Sequence, residues 1–332
     1  MKEKDKKPTL KEVIEGIKKK YGEGAVISHE DVPSHVESIP TGCFALDNLL
    51  GCGGLPKGRL MEVYGENSSG KSTMCLFFSA QVQKQGGKVV YIDAENAFDA
   101  SYAQNIGVDT TELLVSQPTT LEETMDIVKM YVETSAVDLI IVDSVASLVP
   151  KAELEGEFMK ETMAVQARAM SKALRILTGP IAKSKTVVIF INQLREKVGV
   201  FYGEKTTTPG GKALKFYSSV RIAVTKGEKI LGKNDEHIGN RMKLTATKNK
   251  VGMPFRKAEF DLYYSKGIDL LGDAFDYAVS LEIIKKAGNT YMFNNQKLGV
   301  GRDNARSYMA DHEEVYADVR KALEVRTKEL DK

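Results

Sequence analysis

Residues 60–72 read LMEVYGENSSGKS, a short apolar segment followed by a glycine-rich turn. The part from Gly65 to Ser72 matches the P-loop pattern, in which a glycine is followed after four residues by Gly-Lys-Ser/Thr. In a P-loop, backbone amides and a helix N-terminus bind phosphate oxygens, the lysine neutralises their charge, and the serine hydroxyl binds Mg²⁺. The stretch therefore predicts strand, turn and helix, with a nucleotide site made of Gly65, Glu66, Asn67, Ser68, Ser69, Gly70, Lys71, Ser72 and Thr73.

The segments around this loop alternate between strand-like and helix-like patterns. A helical stretch at 71–85 follows the first strand, and short β-branched runs at 89–92, 139–142 and 187–191 alternate with further helical stretches. Continuous apolar runs of this length are typical of strands that are buried on both faces of a parallel sheet. The pattern predicts an α/β fold, namely a P-loop NTPase core with a mostly parallel central sheet.

The pattern changes after residue 218. Three strand-like segments, 218–226, 241–250 and 258–264, follow one another without helices, which predicts an antiparallel extension of the sheet. Helical patterns return at 273–287 and 303–328, and a hairpin is expected near Asn294-Asn295 between them. The last part of the chain therefore reads as a small α+β domain.

The N-terminal segment predicts a helix over 9–21. Thr9 and Glu12 have the spacing of a capping box, and an apolar stripe follows: Leu10, Val13, Ile14, Ile17 and Tyr21. The stripe could pack on the core of the same chain or on a neighbouring subunit, and the pattern favours neither. The expected division is 1–34 for the helix and its linker, 35–268 for the core, and 269–332 for the C-terminal domain.

Acidic and amide side chains follow three of the predicted strands. Asp143 ends the run 139–142, which is the Walker B arrangement for a carboxylate that reaches Mg²⁺. Asp93 and Glu95 follow 89–92, and on chemistry alone either could orient the attacking water as a general base. Gln193 follows 187–191, where its amide could bind a γ-phosphate.

Composition excludes several classes of protein. The 332 residues include 47 Lys and Arg against 45 Asp and Glu, so the net charge of +2 excludes a wholly disordered, highly charged chain. Cys43, Cys52 and Cys75 are too few for a disulfide framework, and their spacing does not predict a structural zinc site. We expect no signal peptide and no membrane span, and therefore a cytoplasmic protein.

These segments together resemble the RecA recombinase family, in its bacterial type or as a phage-encoded relative. The resemblance runs in register from about residue 8 to 328. It is carried by GENSSGKS (65–72), YIDAENAFD (91–99), IIVDSVASL (140–148), PKAELEGE (150–157), FINQLR (190–195), GGKALKFY (210–217) and KNK (248–250). Many families share the P-loop, whereas the block from 190 to 221 is particular to this one.

The resemblance implies roles for residues around the nucleotide. Glu95 would activate water, in preference to Asp93, and Gln193 would sense the γ-phosphate. Three residues would lie near the adenine: Asp99, Tyr102 and Tyr264. Lys248 and Lys250 would reach ATP bound at the adjacent subunit and stabilise transition-state charge there, as an arginine finger does. From the sequence alone, these two lysines read as a solvated basic strand.

Two loops would bind DNA by the same resemblance. The first covers roughly 156–164 and is followed by Arg168; the second covers roughly 194–211 and is expected to be structureless. The second loop mixes cations with aromatic and β-branched groups, which suits phosphates and bases. The residues expected to contact DNA are Met163, Arg168, Arg195, Lys197, Val198, Tyr202, Lys205, Thr207, Thr208, Gly210 and Gly211.

The implied function is ATP- and Mg²⁺-dependent DNA recombination and repair. The chain would form a helical filament on single-stranded DNA, pair it with homologous double-stranded DNA, and promote self-cleavage of a LexA-like repressor in the SOS response. The N-terminal helix and Phe216 would serve the contact between subunits. There are three alternatives: a ring-shaped hexameric helicase built on the same ATPase core, a regulatory ATPase of a different class that handles no DNA, and a small-molecule kinase.

The near-zero net charge conceals a strong segregation of charge. Residues 195–257 contain 15 Lys and Arg against 5 Asp and Glu, whereas residues 91–163 contain 3 against 15. The first 20 residues hold 8 against 4. The placement of charge, and not its total, therefore indicates a polyanionic partner.

Overall fold

The computed structural model describes residues 7–26, 35–156, 163–196, 206–232 and 234–330. The chain divides into two compact units, Met1–Val36 and Glu37–Lys332. The helices are α1 (Leu10–Tyr21), α2 (Phe44–Leu50), α3 (Lys71–Lys84), α4 (Ala100–Ile106), α5 (Leu121–Thr134), α6 (Lys151–Leu154), α7 (Met163–Ser184), α8 (Ala213–Tyr217), α9 (Leu270–Ser280), α10 (Arg302–Asp311) and α11 (Glu313–Leu330). Single 3₁₀ turns occur at Glu23–Ala25 and Val145–Ser147.

The strands include those that the sequence predicts and several shorter ones. They are β1 (Ser38–Ile39), β2 (Leu55–Pro56), β3 (Leu60–Gly65), β4 (Val89–Asp93), β5 (Leu114–Ser116), β6 (Leu139–Asp143), β7 (Val187–Gln193), β8 (Arg195–Glu196), β9 (Thr206–Thr207), β10 (Val220–Leu231), β11 (His237–Asn249), β12 (Lys257–Tyr263), β13 (Gly267–Ile268), β14 (Lys285–Ala287), β15 (Thr290–Phe293) and β16 (Gln296–Val300).

The first unit contains the capped helix that the sequence predicts. The backbone N–H of Thr9 donates to Glu12 Oε2 over 2.7 Å, and the N–H of Glu12 donates back to Thr9 Oγ1 over 3.4 Å. This reciprocal pair satisfies amides that the first helical turn would otherwise leave unbonded. The helix α1 ends at Tyr21, as expected, and Leu10 in its apolar stripe is 77% exposed.

Among the described residues, nine strands form the central sheet, in the order β13-β12-β11-β10-β3-β7-β6-β4-β5. The six strands from β10 to β5 pair in parallel, whereas β11, β12 and β13 extend the sheet with antiparallel pairs. The prediction of a mostly parallel sheet with an antiparallel extension is confirmed. One detail differs from the prediction, which included segment 218–226 in the antiparallel extension. Strand β10 pairs in parallel with β3 on one side and in antiparallel fashion with β11 on the other.

The apolar runs of the parallel strands feed two separate cores. In β6, Leu139 and Ile141 face the core that also contains α3, whereas Ile140 and Val142 face the core that contains α5 and α7. Because successive side chains point to opposite faces, a strand covered on both faces must be apolar at every position. This explains why these strands read as continuous runs and not as an alternating pattern.

Two helix predictions in the C-terminal part are wrong in their bounds. The helix expected at 273–287 ends at Ser280, and Lys285–Ala287 instead pairs with β15 in a three-stranded sheet. Between Ser280 and Lys285 the chain turns, with Glu282 in a left-handed conformation. Ile284 is thereby buried in the hydrophobic core of the C-terminal part. The helix expected at 303–328 is interrupted at His312, whose φ and ψ of −128° and 86° are not helical.

The expected hairpin is confirmed at Asn294-Asn295. Both residues have positive φ, at 49° and 65°, and they join the antiparallel strands β15 and β16. Two-residue hairpin turns of this kind require left-handed conformations, which asparagine tolerates better than most residues. With α9, α10 and α11 this sheet encloses its own hydrophobic core.

A buried ion pair fixes the strand that leads into the P-loop. Glu62 on β3 is fully buried, and its Oε2 accepts from Arg221 Nε on β10 over 2.5 Å. Its Oε1 accepts from Asn192 Nδ2 on β7 over 3.1 Å. Glu62 therefore connects three adjacent strands at one level of the sheet, just before the loop begins.

We expect Arg221→Met to lower the free energy of unfolding by about 3–5 kcal/mol, because it leaves the Glu62 carboxylate buried without its cation. Urea denaturation of the purified protein measures the change. The double variant Glu62→Met/Arg221→Met should recover most of the loss, because no uncompensated charge remains.

The control is Lys185→Met, which removes the exposed pair between Lys185 and Glu37. Its expected cost is at most about 1 kcal/mol, because exposed pairs are screened by water. A single Arg221 variant as stable as this control would contradict the role given to the buried pair.

Candidate nucleotide and DNA site

The P-loop lies between β3 and α3, as the sequence predicts. Gly70 precedes the helix with a φ of +88°, a conformation that few residues other than glycine adopt. A Cβ atom at Gly65 would lie 2.3 Å from the carbonyl oxygen of Val224, so the loop backbone packs directly against β10. These two glycines give the chain the tight path that a phosphate cradle needs.

The loop borders a cavity of about 330 Å³. The side chains expected to bind phosphate, Ser69, Lys71 and Ser72, line it together with Glu95, Asp143 and Gln193. Residues from four parallel strands or the segments that follow them thus share one cavity, because the carboxyl ends of parallel strands meet at one edge of the sheet.

Lys71 is held by carbonyl groups of its own loop. Its Nζ donates to the carbonyl oxygens of Glu66 over 2.7 Å and Gly65 over 3.3 Å, and burial lowers the pKa of the side chain. Nearby, Ser69 Oγ is buried and has no hydrogen-bond partner among the described residues. A buried hydroxyl without a partner is costly, so a lysine and an unsatisfied donor in one concavity fit phosphate oxygens.

Asp143 ends β6 at the edge of the cavity and is largely buried. Tyr91 donates its hydroxyl hydrogen to Asp143 Oδ2 over 2.6 Å, and the Ser72 side chain is also hydrogen-bonded to this carboxyl. Burial raises the pKa of Asp143, and the two hydrogen bonds oppose that shift. The peptide bond from Asp143 to Ser144 is cis.

Ser72 and Asp143 are side chains of this cavity that could hold Mg²⁺. They supply the oxygen ligands that this ion prefers, and it commonly takes its other ligands from phosphate and water. The parts of the chain that the structure describes hold no group of three or more His, Cys, Asp or Glu that could bind a metal without a nucleotide.

The structure distinguishes the two candidate bases. Asp93 is buried, and its carboxylate accepts from the backbone N–H groups of Ala97 and Phe98 and from Gln117 Nε2, all at 3.0–3.1 Å. Its oxygens therefore stabilise the loop after β4. Glu95 is exposed at the cavity instead, which favours the assignment that the family resemblance implies.

Glu95 contacts the two neighbouring strand ends. Its Oε1 accepts from Gln193 Nε2 over 3.1 Å, and it also accepts a short hydrogen bond from Ser144 Oγ. The proposed base and the proposed phosphate sensor are therefore in direct contact in this structure. Ser144 was missed from the sequence, although its position next to Asp143 was a usable signal.

The residues expected near the adenine divide into two groups. Tyr264 lines the cavity, where its hydroxyl accepts from Asn240 Nδ2 over 2.6 Å. Asp99 caps α4 by accepting from the backbone N–H of Tyr102, and the Tyr102 hydroxyl is hydrogen-bonded to Thr73 Oγ1 over 2.8 Å. Tyr102 thus contacts the P-loop helix directly, and Asp99 holds the backbone of Tyr102.

Lys248 and Lys250 do not line this cavity. Lys248 Nζ donates to the carbonyl oxygens of Lys215 and Phe216 at the end of α8, and burial lowers the pKa of Lys248. Phe216 itself is 69% exposed. The role of Lys248 and Lys250 at a nucleotide on an adjacent subunit stays a prediction.

The structure describes part of the two expected DNA loops. Arg168 is exposed on α7, and residues 163 and 164 of the expected first loop already belong to that helix. Four of the expected DNA contacts, Lys197, Val198, Tyr202 and Lys205, lie outside the described residues.

The expectation of a structureless second loop is wrong at its two ends. Arg195 and Glu196 pair with Thr207 and Thr206 in an antiparallel ribbon. Arg195 is exposed on this ribbon, whereas Thr208 is buried with its hydroxyl unpartnered among the described residues. Gly210 and Gly211 follow with positive φ values of 81° and 72°.

Comparison with known proteins decides the family. The RecA N-terminal domain model matches residues 8–269, and the RecA C-terminal domain model matches residues 272–328. The chain belongs to the RecA family. It is therefore a DNA-dependent ATPase of recombination and DNA repair, a class that binds nucleotide and DNA and forms filaments.

Individual RecA relatives cover almost the whole chain. Protein RecA of Lactobacillus johnsonii is 48% identical over 320 residues, which are 96% of this chain and 89% of the relative. The RecA proteins of Oceanobacillus iheyensis and Clostridium tetani are 48% and 47% identical, and each alignment covers 92% of the relative and at least 96% of this chain. No helix in the described ranges is long and apolar enough to cross a membrane.

The Glu95 contacts predict that Glu95→Gln binds ATP but hydrolyses it slowly. The amide keeps the size of the side chain but cannot accept a proton, so we expect DNA-dependent turnover to fall about 10²- to 10⁴-fold. Phosphate release measures turnover, and a fluorescent ATP analogue measures binding.

Lys71→Ala is the contrasting variant, because it should lose nucleotide binding as well as turnover. The matched control is Asp93→Asn, which should destabilise the loop after β4 without the same selective loss of turnover. Turnover at the wild-type rate in Glu95→Gln would reject Glu95 as the base.

Proposed function

We propose that this chain is an ATP- and Mg²⁺-dependent recombinase that assembles into a helical filament on single-stranded DNA. The filament exchanges that strand for the identical strand of a homologous duplex. The observation that carries the proposal is the contact of Glu95 with Gln193, because the second DNA loop begins directly after Gln193. One strand end is thus shared by the hydrolytic site and the expected DNA loop.

The residues of the cavity support ATP turnover in distinct roles. Lys71 and Ser69 would bind phosphate oxygens, and Glu95 would orient the attacking water and accept its proton. Mg²⁺, held by Ser72 and Asp143, would supply charge neutralisation at the β- and γ-phosphates. Tyr264, Tyr102 and Asp99 would form the adenine side of the site.

Filament assembly would complete the site from a second copy of the chain. Lys248 and Lys250 are placed on β11 and directly after it, outside their own cavity, which suits cations that act at the nucleotide of a neighbour. A head-to-tail contact that does not close into a ring gives a helical filament. The exposed Phe216 and the apolar stripe of α1 are the surfaces that would form this contact.

The DNA side of the proposal rests on charge and on loop position. The basic segment 195–257 begins at the exposed Arg195, and Arg168 is exposed on α7, four residues after the expected first loop. Cations there would bind phosphates and leave the bases free to pair with a homologous strand, so base pairing would read the sequence. Departure of the γ-phosphate from Gln193 would then weaken DNA binding.

Two further parts of the proposal rest on the family alone. A filament of this kind could promote self-cleavage of a LexA-like repressor, although no described residue is specific to that step. The cytoplasm is the proposed location, because it holds the chromosomal DNA and the ATP that the reaction needs.

Removing Arg195 and Lys197 should weaken single-stranded DNA binding and flatten its salt dependence. For every phosphate that the variant no longer neutralises, the slope of log K against log salt should fall by about 0.7 for a single strand. Fluorescence anisotropy with a labelled oligonucleotide and a non-hydrolysable ATP analogue measures both quantities across a salt series.

Arg326→Ala is the control, since Arg326 is an exposed cation on α11 that pairs with Glu329. It should leave the slope unchanged. An unaltered slope in Arg195→Ala/Lys197→Ala would mean that the phosphates are bound elsewhere.

Electron microscopy of the same samples should show helical filaments, and closed rings would favour a hexameric helicase instead.

A further inference from the structure

Both the nitrogen and the oxygen of the Gln166 side-chain amide on α7 form hydrogen bonds, and these bonds connect three segments of the chain. Its Nε2 donates to the carbonyl oxygens of Leu148 over 2.9 Å and Val145 over 3.1 Å. Its Oε1 accepts from the backbone N–H of Gly210 over 3.3 Å. One side chain at the start of α7 therefore joins the turn after β6 to the end of the second DNA loop.

The turn that Gln166 contacts is continuous with the nucleotide site. Asp143 ends β6, and the next residue, Ser144, donates its hydroxyl hydrogen to Glu95. The 3₁₀ turn Val145–Ser147 follows directly, and Leu148 comes after it. A displacement at Asp143 or Ser144 would therefore reach the carbonyl groups that Gln166 binds within a few residues.

The loop end that Gln166 contacts packs closely against the turn after β6 and against α7. A Cβ atom at Gly210 would lie 3.0 Å from Val145 Cγ1, and one at Gly211 would lie 2.7 Å from Ala167 Cβ. Both glycines have positive φ, a backbone conformation that few residues other than glycine adopt. The end of the second DNA loop therefore rests on the same turn and the same helix that Gln166 joins.

The geometry points to Gln166 as a positioning residue that couples the nucleotide site to the DNA loops, in addition to the direct contact of Gln193 with Glu95. This inference rests on the proposed function, because it concerns how nucleotide and DNA binding influence each other. Gln166 contacts neither the P-loop nor Glu95 in the structure, so its effect passes through the turn 145–148 and through Gly210.

A second connection runs in parallel with this one. Asn192 Nδ2 donates to the carbonyl oxygen of Pro209 over 3.1 Å and also to Glu62, so β7 holds the same loop end from the other side. Removal of Gln166 should therefore weaken the coupling without abolishing it, and it should leave the fold and the basal ATPase intact.

Gln166→Leu tests the inference because leucine keeps the bulk and the helical propensity but makes no hydrogen bond. The measured quantity is the ratio of single-stranded DNA affinities with a non-hydrolysable ATP analogue and with ADP. We expect this ratio to fall by about tenfold, which lies within the range by which single substitutions change the coupling between two sites. DNA-independent ATP turnover and the melting temperature should stay close to the wild-type values.

Reciprocity supplies a second measurement. If Gln166 couples the two ligands, DNA must change the ratio of the affinities for the ATP analogue and for ADP by the same reduced factor in the variant. Gln166→Glu should behave like the leucine variant, because its carboxylate keeps an acceptor for Gly210 but opposes the carbonyl groups of Val145 and Leu148. Gln166→Glu also serves as the test variant if Gln166→Leu does not fold.

Gln104→Leu is the matched control, since Gln104 is an exposed helical glutamine that donates to Thr110 Oγ1. It should keep the wild-type ratio. The inference is overturned if Gln166→Leu or Gln166→Glu keeps that ratio, including the case in which DNA binding weakens equally in both nucleotide states. A wild-type ratio of one would instead contradict the proposed function, and the inference with it.

Discussion

The nucleotide site depends on the register of four parallel strands. Gly65 at the end of β3 lies opposite Gln193 on β7, and Asp143 on β6 lies opposite Asp93 on β4. Because side chains alternate between the faces of a sheet, a slip of one residue would turn each functional side chain away from its partners. The buried Glu62, bonded to Arg221 and Asn192, holds the register of β3 against the strands on both sides.

The same register places hydrolysis next to the expected DNA loop. Glu95 contacts both Ser144, which follows β6, and Gln193, which ends β7. Asn192 on β7 donates to Pro209, and the turn after β6 is linked to Gly210 through Gln166, so both strands are connected to the far end of the second loop. The nucleotide cavity and the expected DNA loop therefore need no long pathway between them, because the same strands are connected to both.

The sequence predicts most of the core because two local signals are strong there. Strands covered on both faces read as continuous apolar runs, and the P-loop spacing is specific when a strand precedes it and a helix follows. The Thr9 capping box and the Asn294-Asn295 turn are equally local, since each is satisfied by neighbouring residues. The family resemblance extended this prediction to the roles of individual residues.

Features that depend on distant contacts could not be predicted in this way. The pattern through Ile283 and Ile284 suits a helix as well as a turn into a strand, so the end of α9 at Ser280 was missed. The choice between Asp93 and Glu95 depends on the burial of Asp93 and on its hydrogen bonds, one of which comes from Gln117, 24 residues away in the sequence. Gln166 reads as an ordinary helical residue until its three partners are placed around it.

The most direct test of the central claim is strand exchange between a circular single strand and a homologous linear duplex. With ATP and Mg²⁺ the protein should convert them into joint molecules and then into nicked circular duplex, as resolved by gel electrophoresis. ADP in place of ATP, or a duplex of unrelated sequence, should give no product. Absence of joint molecules from a preparation that hydrolyses ATP and binds single-stranded DNA, or equal product without ATP, would contradict the account.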